Sequence, residues 1–307
     1  MTRILVTGAA GLIGRPLVHR LRADGIDVVE LDLRASDPAS SGDIRHRGRV
    51  AQALAGCDGV IHLAAVARVL DAAADPERCQ TTNITGTRIV AEEALAAPTC
   101  GWLLFASSRE VYGQPDRLPV TEEFATAPLN LYGGTKLAAE RVVRGAADRG
   151  LATAVLRLTN TYGSVDDHPD RVVPAFTAAA VAGAPMRAEG PQNQLDLLHV
   201  DDVVEGLLTA SARLQSTGRS LPTIHLVSGT PVSIADLARL CSSVAGTDAP
   251  VLSVSPRAGH VSRFVGDPSL AQRVLGWTST VSLSDGVARL VADLRAQRPT
   301  SLTRSAS

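Results

Sequence analysis

Tyr132 and Lys136, in the run YGGTK, stand four positions apart. On a helix that spacing stacks the two side chains one turn apart on one face. A phenol that titrates near ~10 is a poor base at neutral pH, and a neighbouring ammonium stabilises its phenolate. Such a pair can pass a proton to and from a substrate hydroxyl. Lys136 is the only lysine among 30 basic residues. A compact ammonium and a planar guanidinium are not interchangeable, so position 136 reads as one where arginine fails. Ser108 closes the apolar run GWLLFASS and offers a hydroxyl that can share a substrate oxygen with Tyr132. Arg109 and Glu110 follow it. On extended backbone the Glu110 carboxylate leaves on the same side as Ser108. It then suits either removal of a carbon-bound proton or orientation of a substrate group. Arg109 either binds an anionic substrate group or pairs with Glu110 or Glu123.

A second constellation is TGAAGLIG, with Gly8, Gly11 and Gly14 three apart after a short β-rich run. The first glycine permits a tight turn, the second lets backbone approach a pyrophosphate, and the third lets helix and strand pack closely. Leu12 and Ile13 complete that turn. Asp32 ends the next strand, 18 residues after Gly14, where a carboxylate accepts from ribose hydroxyls and repels a 2′-phosphate. The cofactor is therefore read as NAD in preference to NADP. Asp43 and Ile44 either cap the adenine or are plain loop residues.

The elements that position these groups alternate. Strand-like runs fall at 3–7, 27–33, 59–65, 101–108 and 152–160, with helical patterns at 14–25, about 79–97 and 135–150. Strands alternating with helices predict a parallel sheet covered on both faces. Beyond about residue 161 proline and glycine become frequent. Strand-like pieces remain at 195–200 and 223–228, and helices are expected near 201–215, 233–244 and 284–296. The predicted fold is α/β: a Rossmann-type doubly wound parallel sheet with a smaller interleaved C-terminal α/β substrate domain. The expected boundaries are residues 1–165 for the dinucleotide-binding domain, with about 195–228 returning to it. Residues 166–297 are mainly substrate-binding, and 298–307 form a polar, disordered tail.

Composition narrows the class. The chain has 307 residues and a formal net charge of -1, without the basic excess of a nucleic-acid binder. The opening apolar run is too short for a signal peptide, and no stretch is apolar enough to cross a membrane. The four cysteines are scattered without a CxxC pair, so neither a metal site nor a disulfide framework is expected, and a reducing cytoplasm is.

Taken in order, TGAAGLIG, HLAA (62–65), NITGT (83–87), SSREVYG, YGGTK, RLTNTYG (157–163), LDLLHVDD (195–202) and PRAGH (256–260) resemble the extended short-chain dehydrogenase/reductases, in particular the nucleotide-sugar epimerase/dehydratase branch. The resemblance runs from residue 3 to about 290. It implies NAD held by the first domain, with Leu63, Ala64 and Ala65 beside it, and a nucleotide-linked sugar covered by the second. It implies that Tyr132 takes a proton from a sugar hydroxyl, that Lys136 also holds the nicotinamide ribose, that Asn160 lies near the sugar and diphosphate, and that Arg257 grips the diphosphate. It further implies a homodimer built on helices near 84–98 and 135–149. The chain departs from the branch at Leu195, where an arginine is frequent, at Ser164 in place of a proline, and at Arg109, where 4,6-dehydratases carry an acidic aspartate.

The expected function is an NAD-dependent nucleotide-sugar epimerase/dehydratase working through a transient 4-keto sugar. The alternatives are a dehydratase or uronate decarboxylase using Glu110, and an NAD(P)H-dependent carbonyl reductase. A non-enzymatic NAD-binding regulator is disfavoured by the intact Ser108, Tyr132 and Lys136.

Overall fold

The computed structural model describes residues 2–255 and 261–297. In chain order its elements are β1 (Arg3–Thr7), α1 (Gly14–Ala23), β2 (Asp27–Leu31), α2 (Arg47–Leu54), β3 (Gly59–His62), α3 (Val69–Ala74), α4 (Pro76–Gln80), a π-helical turn (Thr81–Gly86), α5 (Thr87–Ala96), β4 (Trp102–Ser108), a 3₁₀ turn (Arg109–Tyr112), α6 (Leu131–Ala147), β5 (Ala152–Leu158) and β6 (Asn160–Tyr162). There follow α7 (Val172–Ala182), β7 (Met186–Glu189), β8 (Gln194–His199), α8 (Val200–Thr217), β9 (Ile224–Leu226), β10 (Pro231–Ser233), α9 (Ile234–Ala245), β11 (Val251–Val254), α10 (Ser269–Leu275) and α11 (Leu283–Gln297).

Six strands form one parallel sheet in the order β2-β1-β3-β4-β5-β9. The period-2 alternation of strand side chains sorts them into two cores. Ile4, Val6, Trp102, Leu104 and Leu156 pack beneath α1, α8 and α10. Leu5, Leu103, Phe105 and Val155 pack beneath α2, α5 and α6. Strands β3, β4 and β5 are buried on both faces, and their runs read as largely apolar.

The chain turns away from this sheet at Thr159. Strand β6 joins β8 in parallel, and β10 adds to β8 antiparallel. Of the stretch 195–228, then, α8 and β9 return to the first sheet, whereas β8 does not. A third core, between α7, α9 and α11, underlies this smaller layer. Asp196 joins the parts. Its fully buried carboxylate accepts hydrogen bonds from Ser228 N (2.9 Å), Ser228 Oγ (2.9 Å), Gly229 N (3.1 Å) and Gly266 N (3.1 Å). Arg257 and the tail at 298–307 lie outside the described residues.

Candidate active site

Strands β1 and β3 both end where the order of the sheet reverses, the place at which open α/β sheets leave a crevice. The turn after β1 and the turn after β3 come into contact there. Gly8 has a φ of 74°, and a Cβ on it would stand 2.7 Å from Ala64 N. A Cβ on Gly14 would stand 2.2 Å from Gly8 O and 2.7 Å from Ala9 O. Both positions exclude any side chain. The turn delivers the start of α1, which no side chain caps and whose first turn carries no acidic residue. The first-turn N–H groups of a helix lack internal partners and favour an anion. Leu12 and Ile13 lie in that turn. This uncapped helix end, cradled by glycines, fits a pyrophosphate. Asp32 stands beside it with its carboxylate accepting from Ala10 N (3.0 Å) and Arg34 N (2.7 Å), and the Arg34 guanidinium lies 3.6 Å away.

On the far side of β3, Leu63 N donates to Thr7 O (3.1 Å), and Ala64 N donates to the Thr7 hydroxyl (3.3 Å). Asn83, inside the π-helical turn, accepts from Val66 N (2.8 Å) and donates to Val66 O (3.1 Å) and Thr135 Oγ1 (2.9 Å). That residue ties the segment after β3 to α6. A π turn inside a helix often marks a functional site, and the helix expected over 79–97 is present as the end of α4, this turn and α5. Asp43 and Ile44 have partners within the chain. Burial pushes the Asp43 carboxyl up, but the hydrogen bonds and charge of Arg45, 2.6 Å away, outweigh it and leave it below the usual range. Ile44 is buried against Gly86, in the core beneath the sheet.

Helix α6 begins at Leu131, four residues earlier than expected, because Asn130 Oδ1 caps it by accepting from Gly133 N (2.9 Å). Its buried face carries Tyr132, Lys136 and Glu140 in succession, one turn apart. Burial pushes the Tyr132 phenol up to about 12; the Glu110 charge adds to that, while a hydrogen bond with Ser108 and the Arg171 charge pull it down. Lys136 is buried on the same face. Its ammonium donates to Ala106 O at 2.7 Å and lies 4.7 Å from the centre of the Phe105 ring. Burial pushes this group down to about 8.

Behind Lys136 runs a buried polar chain. Glu140 accepts from Ser107 Oγ (2.6 Å), Arg157 Nε (2.9 Å) and Arg157 Nη2 (2.7 Å). Burial pushes its carboxyl up, but the bonds and charge of Arg157 outweigh this and hold it low. Arg157 Nη1 donates to Tyr112 Oη (2.6 Å), which meets His225 Nε2 at 2.5 Å. This chain locks α6 against β4 and β5.

Ser108 is the last residue of β4 and accepts from Glu110 N (3.2 Å). The backbone then tightens into the 3₁₀ turn at 109–112, so the extended geometry expected to aim Glu110 alongside Ser108 is absent. One Glu110 oxygen lies 2.8 Å from Arg109 Nη2, and the other accepts from Asn130 Nδ2 at 2.8 Å. Arg109 thus pairs with Glu110 rather than Glu123. It also lies over the Phe264 ring, and its Nη1 is buried without a partner. Asn160 is half-buried and donates to Asp196 O (3.2 Å). The structure therefore brings Ser108, Tyr132, Lys136 and the glycine turn to one edge of the sheet. Asn130, Asn83 and Arg171 escaped the sequence reading. Asn130 left a signal as a capping residue before a helical pattern, and Asn83 as the first residue of NITGT.

The arrangement places a buried phenol at the sheet edge that also bears the glycine turn. Comparison with known proteins bears on it. The model of the NAD dependent epimerase/dehydratase family matches residues 4–221. A UDP-glucose 4-epimerase of Bacillus subtilis is 29% identical, over 92% of this chain and 94% of that protein. A dTDP-glucose 4,6-dehydratase of Streptomyces griseus is 31% identical, over 95% of this chain and 93% of that one. Among solved structures, MoeE5 in complex with UDP-glucuronic acid and NAD superposes with a TM-score of 0.88 at 30% identity, covering 96% of this chain and 100% of that one.

Proposed function

Because the chain belongs to the NAD dependent epimerase/dehydratase family, we propose that it converts a nucleoside-diphosphate hexose through a transient 4-keto sugar, with Tyr132 as the base. The observation that carries this reading is the buried Tyr132 beside Ser108, on the face of α6 that also carries Lys136, at the sheet edge that bears the glycine turn. NAD, when bound, supplies a hydride acceptor that becomes the donor in the return step. Gly8, Gly11, Leu12, Ile13 and Gly14 would hold its pyrophosphate, Asp32 its adenosine ribose, and Leu63, Ala64 and Ala65 would line it.

The residues divide the work. Ser108 and Tyr132 hold the sugar oxygen between two hydroxyls. Tyr132 takes its proton and later returns it. The raised pKa of the phenol means that a positive charge must arrive beside it before it is an effective base at neutral pH. Lys136 is the resident cation whose ammonium can swing from the Ala106 carbonyl toward the phenol and a ribose hydroxyl. Asn160 and Arg257 would meet the sugar and diphosphate, a reading that rests on the family resemblance.

We also propose a homodimer in the cytoplasm. Ile89, Leu95 and Val142 are partly exposed apolar residues on the adjoining α5 and α6. Val90 and Val143 on the same two helices are buried within the chain, and Leu137 packs beside Tyr112 and Val120. The support is thus a narrower stripe than the sequence implied. The four cysteines are buried free thiols, which suits a reducing compartment. Light scattering at micromolar concentration should give twice the 31.9 kDa chain mass; the monomer mass would refute the dimer.

The test of the main reading is incubation of the purified protein with a panel of UDP- and dTDP-hexoses, without added reductant. Products are read by mass and NMR. An unchanged mass with altered stereochemistry marks an epimerase, loss of water a dehydratase, and loss of carbon dioxide a decarboxylase. No conversion of any of them would refute the assignment.

A further inference from the structure

Glu110 follows Ser108 by two residues, where a second base would be useful. Its surroundings describe a different task. Both oxygens are engaged, one with Arg109 Nη2 and one with Asn130 Nδ2, each at 2.8 Å. The side chains of Arg109 and Glu110 are only 11% and 10% exposed. To take a proton from carbon, Glu110 would have to leave a guanidinium in a poorly solvated place, and stripping one partner from a buried ion pair is strongly unfavourable. A protonated form would also lose the ion pair with Arg109.

What the contacts do instead is join two parts of the site. Glu110 N donates to the Ser108 hydroxyl (3.2 Å). Glu110 Oε2 accepts from Asn130, whose own Oδ1 caps the first turn of α6 through Gly133 N. The Glu110 carbonyl abuts the same turn, for a Cβ on Gly133 would stand 2.5 Å from Glu110 O. One residue therefore sets the separation between the end of β4, which bears Ser108, and the start of α6, which bears Tyr132. Arg109, held over Phe264 and against Glu110, fixes the carboxylate in that position.

We infer that Glu110 is a positioning residue, clamped by Arg109 and Asn130 to hold Ser108 and Tyr132 in register, and that the enzyme exchanges hydrogen only at C4 and its oxygen. The inference rests on the function proposed above and selects its epimerase half. In the balanced reaction the C4 hydrogen would pass as hydride to NAD, when bound, and the O4 proton to Tyr132. Both return, the hydride to the opposite face, and no carbon-bound proton passes to a side chain or to solvent.

The experiment runs the wild-type holoenzyme in D2O with UDP- and dTDP-hexoses, following reduction of the bound nicotinamide and the mass of the product. Product carrying no carbon-bound deuterium is expected. Deuterium at the carbon next to C4 would overturn the inference, since it requires a base acting on carbon. Two variants give readouts of positioning. Glu110→Gln should lower kcat by up to about 100-fold through misplacement, with KM little changed. Because the Glu110 charge raises the Tyr132 pKa, its loss should also move the acid limb of the rate profile to lower pH. Asn130→Ala removes the clasp but keeps the charge, so it should lower kcat without that movement. A Glu110→Gln enzyme that reduces its nicotinamide at the wild-type rate and then accumulates the keto sugar would overturn the inference. If the wild-type protein never reduces its nicotinamide with any of these hexoses, the proposed function itself fails, and the role of Glu110 falls with it.

Discussion

Replacing Gly14 by alanine adds a single methyl group at the closest backbone approach of the cofactor cradle. That methyl would stand 2.2 Å from Gly8 O and 2.7 Å from Ala9 O. Both neighbours are backbone, so no side chain can swing away, and the start of α1 must retreat from the turn by roughly the missing ångström. Overpacking of this kind costs about 1–3 kcal/mol. If the strain is relieved mainly in the form that has no cofactor, affinity for NAD falls by about 5-fold to 150-fold, at 1.4 kcal/mol for each factor of ten. Gly48→Ala is the control, since it lies in α2 with nothing within 4 Å of its Cβ. The assay is calorimetric titration of NAD into each protein after removal of any carried cofactor, with urea unfolding in parallel. Gly48→Ala should bind as the wild type does. Gly14→Ala with an NAD affinity within twofold of wild type would refute the claim that this turn holds the pyrophosphate.

Asp32→Ala should weaken NAD binding much more than NADP binding; equal loss for both would remove Asp32 from the ribose site. Lys136→Arg should lose most turnover while staying folded, because a planar fork cannot replace the ammonium now 2.7 Å from Ala106 O; near-normal kcat would leave the lone lysine without a role. Asp196→Ala strips one acceptor group from four donors, and unfolding in urea should show a loss of several kcal/mol at about 1–3 for each orphaned group; a loss under 1 kcal/mol would contradict its joining role. His62 lies fully buried between Thr7 and Thr87, and burial pushes its pKa down to about 3. Its unfolded form takes a proton near ~6.5 while the folded form does not, so stability should fall as pH drops from there toward 3. His62→Asn should reduce that slope by about 1.4 kcal/mol per pH unit; an unchanged slope would show that His62 is protonated in the folded protein.

The cradle and the Tyr132–Lys136 face were legible because each rests on local geometry. Glycines three apart after a strand, and two residues four apart on a helix, need no distant partner to be understood. The two cores of the sheet were legible through the strand runs for the same reason. The direction of Glu110 was not legible, because it depends on whether the chain after Ser108 stays extended or tightens into a 3₁₀ turn, and on Asn130, 20 residues away. The contact of the Lys136 ammonium with Ala106 O was not legible, since it needs β4 folded beside α6. Helix α7 was hidden in a proline- and glycine-rich stretch. Its proline, Pro174, lies in the first turn, where a missing N–H costs little, and its sequence VVPAFTAAAVA shows no polar face. Asp196 and the Glu140–Arg157 pair carry no local signal at all, since their partners are brought to them only by the folded sheet.

The central claim is that the bound dinucleotide takes a hydride from the sugar and gives it back within one turnover. It is tested most directly by stopped-flow mixing of the holoenzyme with UDP- or dTDP-hexose, reading nicotinamide absorbance with no external reductant. A transient reduced signal that decays to baseline as product forms, and that Tyr132→Phe abolishes while still retaining NAD, is the predicted result. Product formation that consumes added NAD(P)H one for one, or a full transient in Tyr132→Phe, would contradict it.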